Sequence, residues 1–348
     1  MTLWLSSSRA RVLPLRKSWM TPLSRFSAST SRVTCATSWR NPREKSALVV
    51  CRSKQKRRGS RPEAASPSFI FQIILWKERG KMETYDKILA MWKSHKLETA
   101  ADIDRVLDNF KTSFAFQSGR LSDPQITYHD TVSIFERDSV NEYTGVVRSL
   151  LEQRNQRLCY EYARAKLVER APLDIPLVLE VHKLLTNGTY SQSHYIDNGE
   201  RPGKFKKHDY GVGLHEVGVP ASRVEQEVGD LLAEVKGYRG PWTLKAAAYF
   251  HASFEHLHPF ADGNGRVGRT LVNYYLIQHD HPPLVFFEHH RDDYYAALDA
   301  YDVEENLEPL EDFFRQMIEE TWKIQLWRVE KENQGHKPLA AFAREAPC

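Results

Sequence analysis

Residues 258–269, HPFADGNGRVGR, constrain the fold of this chain more than any other stretch. They contain a Gly-Asn-Gly turn, and apolar runs at helical spacing flank them at 242–257 and 270–277. Because glycine accepts φ > 0 and interrupts helices, the pattern predicts two helices joined by a tight polar loop. The rest of the chain must pack around these two helices and leave their loop accessible.

The residue types of this loop suit the binding of phosphate groups. Gly263 and Gly265 can expose consecutive backbone N–H groups at a helix start near Asn264, where the helix dipole favours an anion. Arg266 and Arg269 lie three residues apart, so both guanidinium groups can reach one side of the first turn. The loop is therefore a predicted phosphate-binding site.

Two further side chains predict catalysis at this site. Asp262 precedes the turn and is placed to hold a divalent cation, since Mg²⁺ is usually bound by one or two carboxylates and by substrate oxygens. His258 has an ordinary pKa near ~6.5, which suits a general base. A lone histidine or Asp-Gly turn is more often structural, but the combination predicts transfer of a phosphorus-centred group to a hydroxyl.

The same stretch matches the motif HxFx(D/E)GNGRxxR of the Fic family at every fixed position: His258, Phe260, Asp262, Gly263, Asn264, Gly265, Arg266 and Arg269. The chain resembles this family over about residues 82–333. The resemblance implies a mainly α, Fic-type helical bundle with a small β-hairpin flap over the active-site loop. It also implies that the backbone at 263–265 and the Asn264 side chain stabilise developing charge, that Arg266 binds the β-phosphate, and that Arg269 binds the γ-phosphate.

Most Fic proteins with the complete motif transfer AMP from ATP to a protein hydroxyl. The resemblance therefore implies a protein adenylyltransferase that uses ATP and Mg²⁺, modifies a Ser, Thr or Tyr of a target protein, and labels itself. Two alternatives stay open. The enzyme could transfer another group, such as UMP, phosphate or phosphocholine, because the motif specifies a diphosphate and not the group moved. The domain could instead bind a nucleotide or partner without turnover.

A second stretch resembles the regulatory segment of many Fic proteins, Ser/Thr-x-x-x-Glu-(Gly/Asn). In the family its glutamate pairs with the second arginine of the loop and misplaces the γ-phosphate. Here Ser118 fits the first position, but Ser122 occupies the glutamate position. The resemblance implies weak autoinhibition, because serine carries no charge to pair with Arg269. Residues 122–124 can equally cap a turn.

Residues 198–213 are polar and rich in glycine, and an extended stretch at 204–208 predicts a short hairpin there. In Fic proteins this region is the flap, which pairs with an extended target segment. Lys206, Lys207 and His208 are candidate contacts to the target or nucleotide, although basic loops are more often simply solvated.

Hydrophobic spacing predicts helices from Met82 onward, with N-caps at Thr99 and Asp174. The predicted helices after Thr99 cover about 126–135, 143–167, 174–187, 220–235, 242–257, 292–303 and 308–333. The corresponding segments are an N-terminal helical segment at 82–140, a catalytic domain at 141–335 and a tail at 336–348. His182 is predicted to be a packed core histidine.

A second group of histidines lies close together in the sequence, as the ligands of a metal site would. His279, His281, His289 and His290 cluster in the sequence, but no cysteine or carboxylate framework accompanies them there. We therefore predict that they are loop histidines.

Charge divides the chain sharply. Residues 1–81 carry 18 Lys and Arg against 3 Asp and Glu, a net charge of +15, whereas the remainder carries −11. The first 81 residues are predicted to be a disordered basic extension, from a misassigned start or, as the second choice, a mitochondrial transit peptide. The acidic remainder argues against nucleic-acid binding.

Four scattered cysteines and short apolar runs predict a cytoplasmic protein without a membrane span. Homodimerisation is expected only by analogy with other Fic proteins.

Overall fold

A computed structural model describes residues 83–121, 126–140, 143, 145–212, 215–238 and 240–333. The predicted basic extension at 1–81, the regulatory position Ser122 and the tail at 336–348 lie outside the described residues. The described residues cover most of the predicted N-terminal helical segment and of the predicted catalytic domain.

The described residues form ten α-helices, which confirms the predicted mainly α class. They are α1 (83–94), α2 (Ala100–Arg120), α3 (Tyr128–Arg137), α4 (Val147–Val168), α5 (Ile175–Thr186), α6 (Val224–Gly237), α7 (Thr243–Leu257), α8 (Asn264–Gln278), α9 (Arg291–Glu304) and α10 (Glu308–Asn333). A π-helical turn covers Ser193–Asp197, and 3₁₀ turns cover Ala221–Arg223 and Glu288–His290. None of these described helices combines the length and the apolar composition needed to cross a membrane.

The two predicted N-caps are confirmed. The Thr99 side chain accepts a hydrogen bond from the Asp102 N–H, and the Asp102 carboxylate accepts one from the Thr99 N–H, so α2 begins with a capping box. Asp174 Oδ1 accepts a hydrogen bond of 3.0 Å from the Leu177 N–H at the start of α5. Helix α2 continues to Arg120, which places Ser118 in its last turn.

Within the described ranges, one small hairpin interrupts the helices. Strands β1 (Tyr210–Val212) and β2 (His215–Val217) pair antiparallel, with Tyr210 opposite Val217. The hairpin lies after the stretch at 204–208 where it was predicted, because the backbone of that stretch is bound elsewhere. The Lys206 N–H donates to the Pro259 carbonyl at 3.0 Å, and the Lys207 N–H donates to Glu200 Oε1 at 2.9 Å.

Helices α7 and α8 form the centre of the bundle. Helix α7 is buried on almost every side, and its Phe250 and Phe254 have no exposed surface. Helix α8 buries Val267 and Leu271 completely against the same core. A helix that is apolar all round belongs in a protein interior. The loop at 258–263 is thus held between two helices that have little freedom to move.

Candidate active site

His258 lies at the C-terminal end of α7, where the chain leaves the helix. Its N–H still donates to the Phe254 carbonyl at 3.2 Å, but its φ of 46° and ψ of 61° are left-handed. A non-glycine residue in this conformation costs about 1–3 kcal/mol and persists only where its surroundings fix it. The turn directs the chain into the loop immediately after His258.

The end of the hairpin packs directly on His258. Gly218, which follows β2, has φ of 79°, and a Cβ atom there would lie 2.5 Å from both the Leu257 carbonyl oxygen and the His258 Cβ. The next residue, Val219, donates its N–H to the Leu257 carbonyl at 3.1 Å. Only glycine satisfies both the dihedral angle and the close approach. The hairpin therefore covers one side of the histidine.

The surroundings of His258 keep its imidazole neutral. Burial, reinforced by the positive charge of Lys206, lowers the pKa of His258 to about 4. The Lys206 side chain is itself buried, with 3% of its surface exposed. A neutral imidazole has a free lone pair at physiological pH, so His258 can accept a proton.

The loop after His258 is locked by the Asn264 side chain. Its Oδ1 accepts a hydrogen bond of 2.9 Å from the Phe260 N–H, and its Nδ2 donates one of 2.8 Å to the Phe260 carbonyl. Gly263, with φ of 87°, precedes the first residue of α8. The amide of Asn264 is thus occupied inside the loop. It holds the shape of the loop, which differs from the direct charge-stabilising contact that the resemblance implied for this side chain.

His182 supports the same loop from α5. Its ring stacks on Phe260 with a centroid distance of 3.7 Å and an interplanar angle of 5°. Its Nδ1 accepts from the Gly203 N–H at 2.9 Å, so the proton of the neutral ring lies on Nε2, which donates to the Asp262 carbonyl at 3.2 Å. Burial lowers the pKa of His182 to about 3. The prediction of a packed core histidine is confirmed.

A network of four charged side chains surrounds the start of α8. Arg266 Nη1 lies 3.0 Å from Glu152 Oε1, and its Nη2 lies 3.5 Å from Asp262 Oδ1. Arg148 joins the two carboxylates, with Nε 2.9 Å from Glu152 Oε1 and Nη2 2.7 Å from Asp262 Oδ2. Arginine has five N–H donors in a planar fork, so Arg266 retains donors for a phosphate.

The second arginine of the loop contacts α2. Arg269, with 2% of its surface exposed, donates from Nε to Ser118 Oγ at 3.0 Å and from Nη2 to the Ser118 carbonyl at 3.1 Å. The segment predicted to be regulatory therefore does reach Arg269. The contact is made through neutral oxygen atoms of Ser118.

Two of the predicted flap residues turn back onto their own loop. Lys207 Nζ donates to the Gly199 carbonyl at 2.8 Å, and His208 Nε2 lies 3.0 Å from the Asn198 carbonyl oxygen. Both side chains are exposed. The structure thus brings Lys206 to His258, while Lys207 and His208 stabilise the base of the flap.

Three charged residues of the site are not predicted from the sequence. Arg148 and Glu152 are four residues apart on α4, a spacing that usually marks a surface ion pair. Glu255, one turn before His258, lies against α8, where burial raises the pKa of its carboxyl to about 7 although Arg269 opposes the shift. The i, i+4 spacing was the available signal for the first two residues. Only the three-dimensional packing shows that they face Arg266.

With this geometry in hand, comparison with known proteins identifies the domain. Residues 172–276 match the model of the Fic/DOC family. The chain contains a Fic/DOC domain. The matched range runs from just before α5 to near the end of α8, so it includes His182, the flap and the loop. Ser118, Arg148 and Glu152 belong to helices that precede it.

Curated relatives carry the same family name. The chain is 24% identical over 298 residues to the protein adenylyltransferase Fic of Drosophila persimilis, and this match covers 81% of this chain and 52% of that protein. It is 30% identical over 192 residues to the protein of that name from Culex quinquefasciatus, covering 53% of this chain and 35% of that protein. The chain spans about half the length of the first of these relatives, and less of the second.

Solved structures show the same fold. A Fic-domain-containing signalling protein of Bacteroides thetaiotaomicron superposes with a TM-score of 0.60 at 19% identity, covering 73% of this chain and 98% of that chain. Fic-1 of C. elegans (residues 134–508) superposes with a TM-score of 0.59 at 16% identity, covering 78% and 80%. The helical Fic fold is therefore shared beyond the matched family range.

The buried ion pair beneath the loop gives a stability prediction. In Glu152→Ala, Arg266 loses its nearest carboxylate while it stays 4% exposed. Leaving a buried charge poorly compensated costs about 3 kcal/mol, so we expect a loss of that size in the free energy of unfolding measured with urea. Glu161→Ala is the matched control, because Glu161 pairs with Arg157 on the surface of the same helix. The free energy of unfolding of Glu161→Ala should fall by less than ~1 kcal/mol. Equal losses in the two variants would contradict the assigned role of Glu152.

Proposed function

We propose that this Fic/DOC chain is a protein adenylyltransferase, which transfers AMP from ATP to a Ser, Thr or Tyr hydroxyl of a target protein. The observation that carries the proposal is the position of His258. A neutral, partly buried imidazole directly precedes a locked loop and the N-terminus of α8. A proton acceptor thus lies beside a site built for anions.

The start of α8 is the proposed site for the phosphates of ATP. The first N–H groups of a helix have no intrahelical partner, and Gly263 turns the chain so that those of 264–266 are grouped at the helix start. Preorganised donors of this kind each contribute on the order of 3 kcal/mol to a charged transition state. Arg266 is proposed to bind the β-phosphate and Arg269 the γ-phosphate, as the motif implies.

Asp262 is proposed to hold Mg²⁺ together with oxygens of the α- and β-phosphates. Its Oδ2 is bound by Arg148 at 2.7 Å, whereas its Oδ1 lies 3.5 Å from Arg266, at the limit of a hydrogen bond. Oδ1 is therefore the atom available to a cation. A single carboxylate with substrate oxygens is a usual ligand set for Mg²⁺. The bound ion would neutralise phosphate charge.

The chemical step uses His258 as general base. Its lone pair takes the proton of the target hydroxyl, and the hydroxyl oxygen attacks the α-phosphorus in line. The bond from the α-phosphorus to the oxygen that bridges it to the β-phosphate breaks, and its electron pair leaves with pyrophosphate. Positioned proton acceptors contribute about 10²–10⁴-fold to such reactions. Phe260 and Asn264 act by fixing the loop.

The hairpin is proposed to receive the target. An extended target segment can pair with a strand edge of β1 or β2 through main-chain hydrogen bonds, and this would bring its hydroxyl toward His258, which the hairpin covers. A homodimer and a cytoplasmic location remain predictions from the sequence.

A labelling experiment tests the transfer and the base. The purified chain with Mg²⁺ and ATP labelled at the α-phosphate should label itself or a protein in a lysate, whereas ATP labelled at the γ-phosphate should give no transfer. His258→Ala should reduce labelling at least 100-fold, because the proton acceptor is lost. His129→Ala, which removes an exposed histidine on α3, is the control and should label normally.

Three results would count against the proposal. Transfer from the γ-phosphate would indicate phosphorylation, and stronger labelling from UTP labelled at its α-phosphate than from ATP labelled at the same position would indicate another nucleotide. Equal labelling by His258→Ala would remove His258 from the mechanism.

Weak autoinhibition is the regulatory part of the proposal. Arg269 contacts neutral oxygen atoms of Ser118, and the family's glutamate position carries Ser122. The γ-phosphate would therefore meet little competition for Arg269 from this segment. The natural sequence should label readily.

Restoring the carboxylate tests this regulation. Ser122→Glu should suppress labelling about tenfold or more, which corresponds to about 1.4 kcal/mol of competition for Arg269. Ser139→Glu places the same charge at an exposed serine after α3 and serves as the control. If both variants label like the natural sequence, the segment has been assigned wrongly.

A further inference from the structure

A cluster of two histidines and a glutamate lies outside the proposed catalytic site. The 3₁₀ turn Glu288–His290 carries His289 and His290, and α10 carries Glu320. His289 Nε2 lies 3.3 Å from Glu320 Oε1, and His290 Nε2 lies 3.2 Å from Glu320 Oε2. One ligand atom from each of the three residues falls within 4.8 Å of the others. Two imidazoles thus converge on one carboxylate.

A fourth residue orients one of the imidazoles. Asp293 Oδ2 lies 3.2 Å from His290 Nδ1, so both ring nitrogens of His290 face a carboxylate. A neutral imidazole has one N–H, and it can satisfy only one of these contacts. When Nδ1–H donates to Asp293, Nε2 presents its lone pair; this atom lies 3.2 Å from Glu320 Oε2 and 3.4 Å from Gln316 Nε2, and a cation bound there would take the place of the Gln316 amide N–H. Metal-binding histidines almost always donate their second N–H to such a partner.

We propose that His289, His290 and Glu320 form a binding site for a divalent transition-metal ion, with Zn²⁺ as the best fit. Bonds of about 2.1 Å in a tetrahedral site place neighbouring ligand atoms about 3.4 Å apart. The observed N···O separations of 3.3 and 3.2 Å are close to this value. These two distances run to different oxygens of Glu320, and the three ligand atoms lie within 4.8 Å of one another, so side-chain rotation has to bring them to about 3.4 Å to enclose an ion.

The ligand types distinguish this site from the proposed Mg²⁺ position at Asp262. Imidazole suits Zn²⁺, Cu²⁺ and Ni²⁺, whereas Mg²⁺ prefers oxygen ligands. Three protein ligands leave a fourth position for water. The His289 side chain is 59% exposed, which gives an ion a path from solvent.

The structure changes the prediction that these are loop histidines without a carboxylate framework. The carboxylate comes from α10, thirty residues farther along the chain, where the sequence gives no sign of it. The remaining histidines of the predicted group lie elsewhere. His281 Nε2 lies 2.7 Å from the Tyr85 hydroxyl, and His279 Nδ1 lies 2.8 Å from the Tyr275 carbonyl.

The position of the site links it to the end of α2. Glu288, in the same 3₁₀ turn, accepts hydrogen bonds of 2.8 and 3.0 Å from Arg120. Arg120 follows Ser118 by two residues in the last turn of α2. A metal ion would therefore link the 3₁₀ turn to α10. The same turn already binds the end of α2, the helix that contacts Arg269.

Metal titration tests the site independently of labelling. The untagged full chain is freed of metal with a chelator, and binding of Zn²⁺ is measured by isothermal titration calorimetry. We expect one site whose affinity falls at least tenfold in His289→Ala and in Glu320→Gln. Asp293→Asn should weaken it about tenfold, as is usual for residues that orient a ligand. His129→Ala, the exposed histidine on α3, should leave it unchanged.

A spectroscopic measurement makes the result specific to histidine ligation. Co²⁺ in place of Zn²⁺ should give the visible absorption of a tetrahedral site, and His289→Ala should abolish it. The proposal is overturned if the natural sequence binds no Zn²⁺, or if His289→Ala and Glu320→Gln bind it as tightly as His129→Ala.

Discussion

The stack between His182 and Phe260 is the interaction on which the rest of the site depends. The neutral ring of His182 packs on Phe260, accepts from the Gly203 N–H in the flap region, and donates to the Asp262 carbonyl in the loop. A protonated ring could not accept from Gly203, so burial of the neutral form is a condition of the arrangement. Helix α5, the flap base and the loop are therefore positioned together.

The charged residues near the stacked rings of His182 and Phe260 create two different electrostatic environments, one at His258 and one at Arg266. On one side, burial and Lys206 keep His258 neutral. On the other, Asp262 and Glu152 partly compensate Arg266, which lets a buried guanidinium exist before any phosphate arrives. The fold thus maintains a neutral imidazole and a partly compensated guanidinium within one short stretch of chain.

Much of this arrangement follows from local sequence, and the rest depends on distant contacts. The helices and the N-cap at Thr99 could be predicted from the sequence, because they depend on contacts between residues that are close in the chain. The hairpin was displaced from its predicted position because the Lys206 N–H binds the Pro259 carbonyl, about fifty residues away. Arg148 and Glu152 resemble a surface pair, and only the packing of α4 beside α8 gives them a place in the site. Long-range pairing of polar groups leaves little trace in a single sequence.

The pH dependence of the proposed AMP transfer tests the central claim most directly, namely that His258 is a neutral base in a buried setting. With a pKa of about 4, His258 stays largely unprotonated from pH 5.5 to 8, so the rate at saturating ATP and Mg²⁺ should be nearly flat while circular dichroism shows an unchanged fold. Lys206→Met removes a charge that lowers this pKa, and the acid limb should move to higher pH. A rate in the natural sequence that falls about tenfold by pH 5.5, along the titration of an ordinary histidine near ~6.5, would contradict the account.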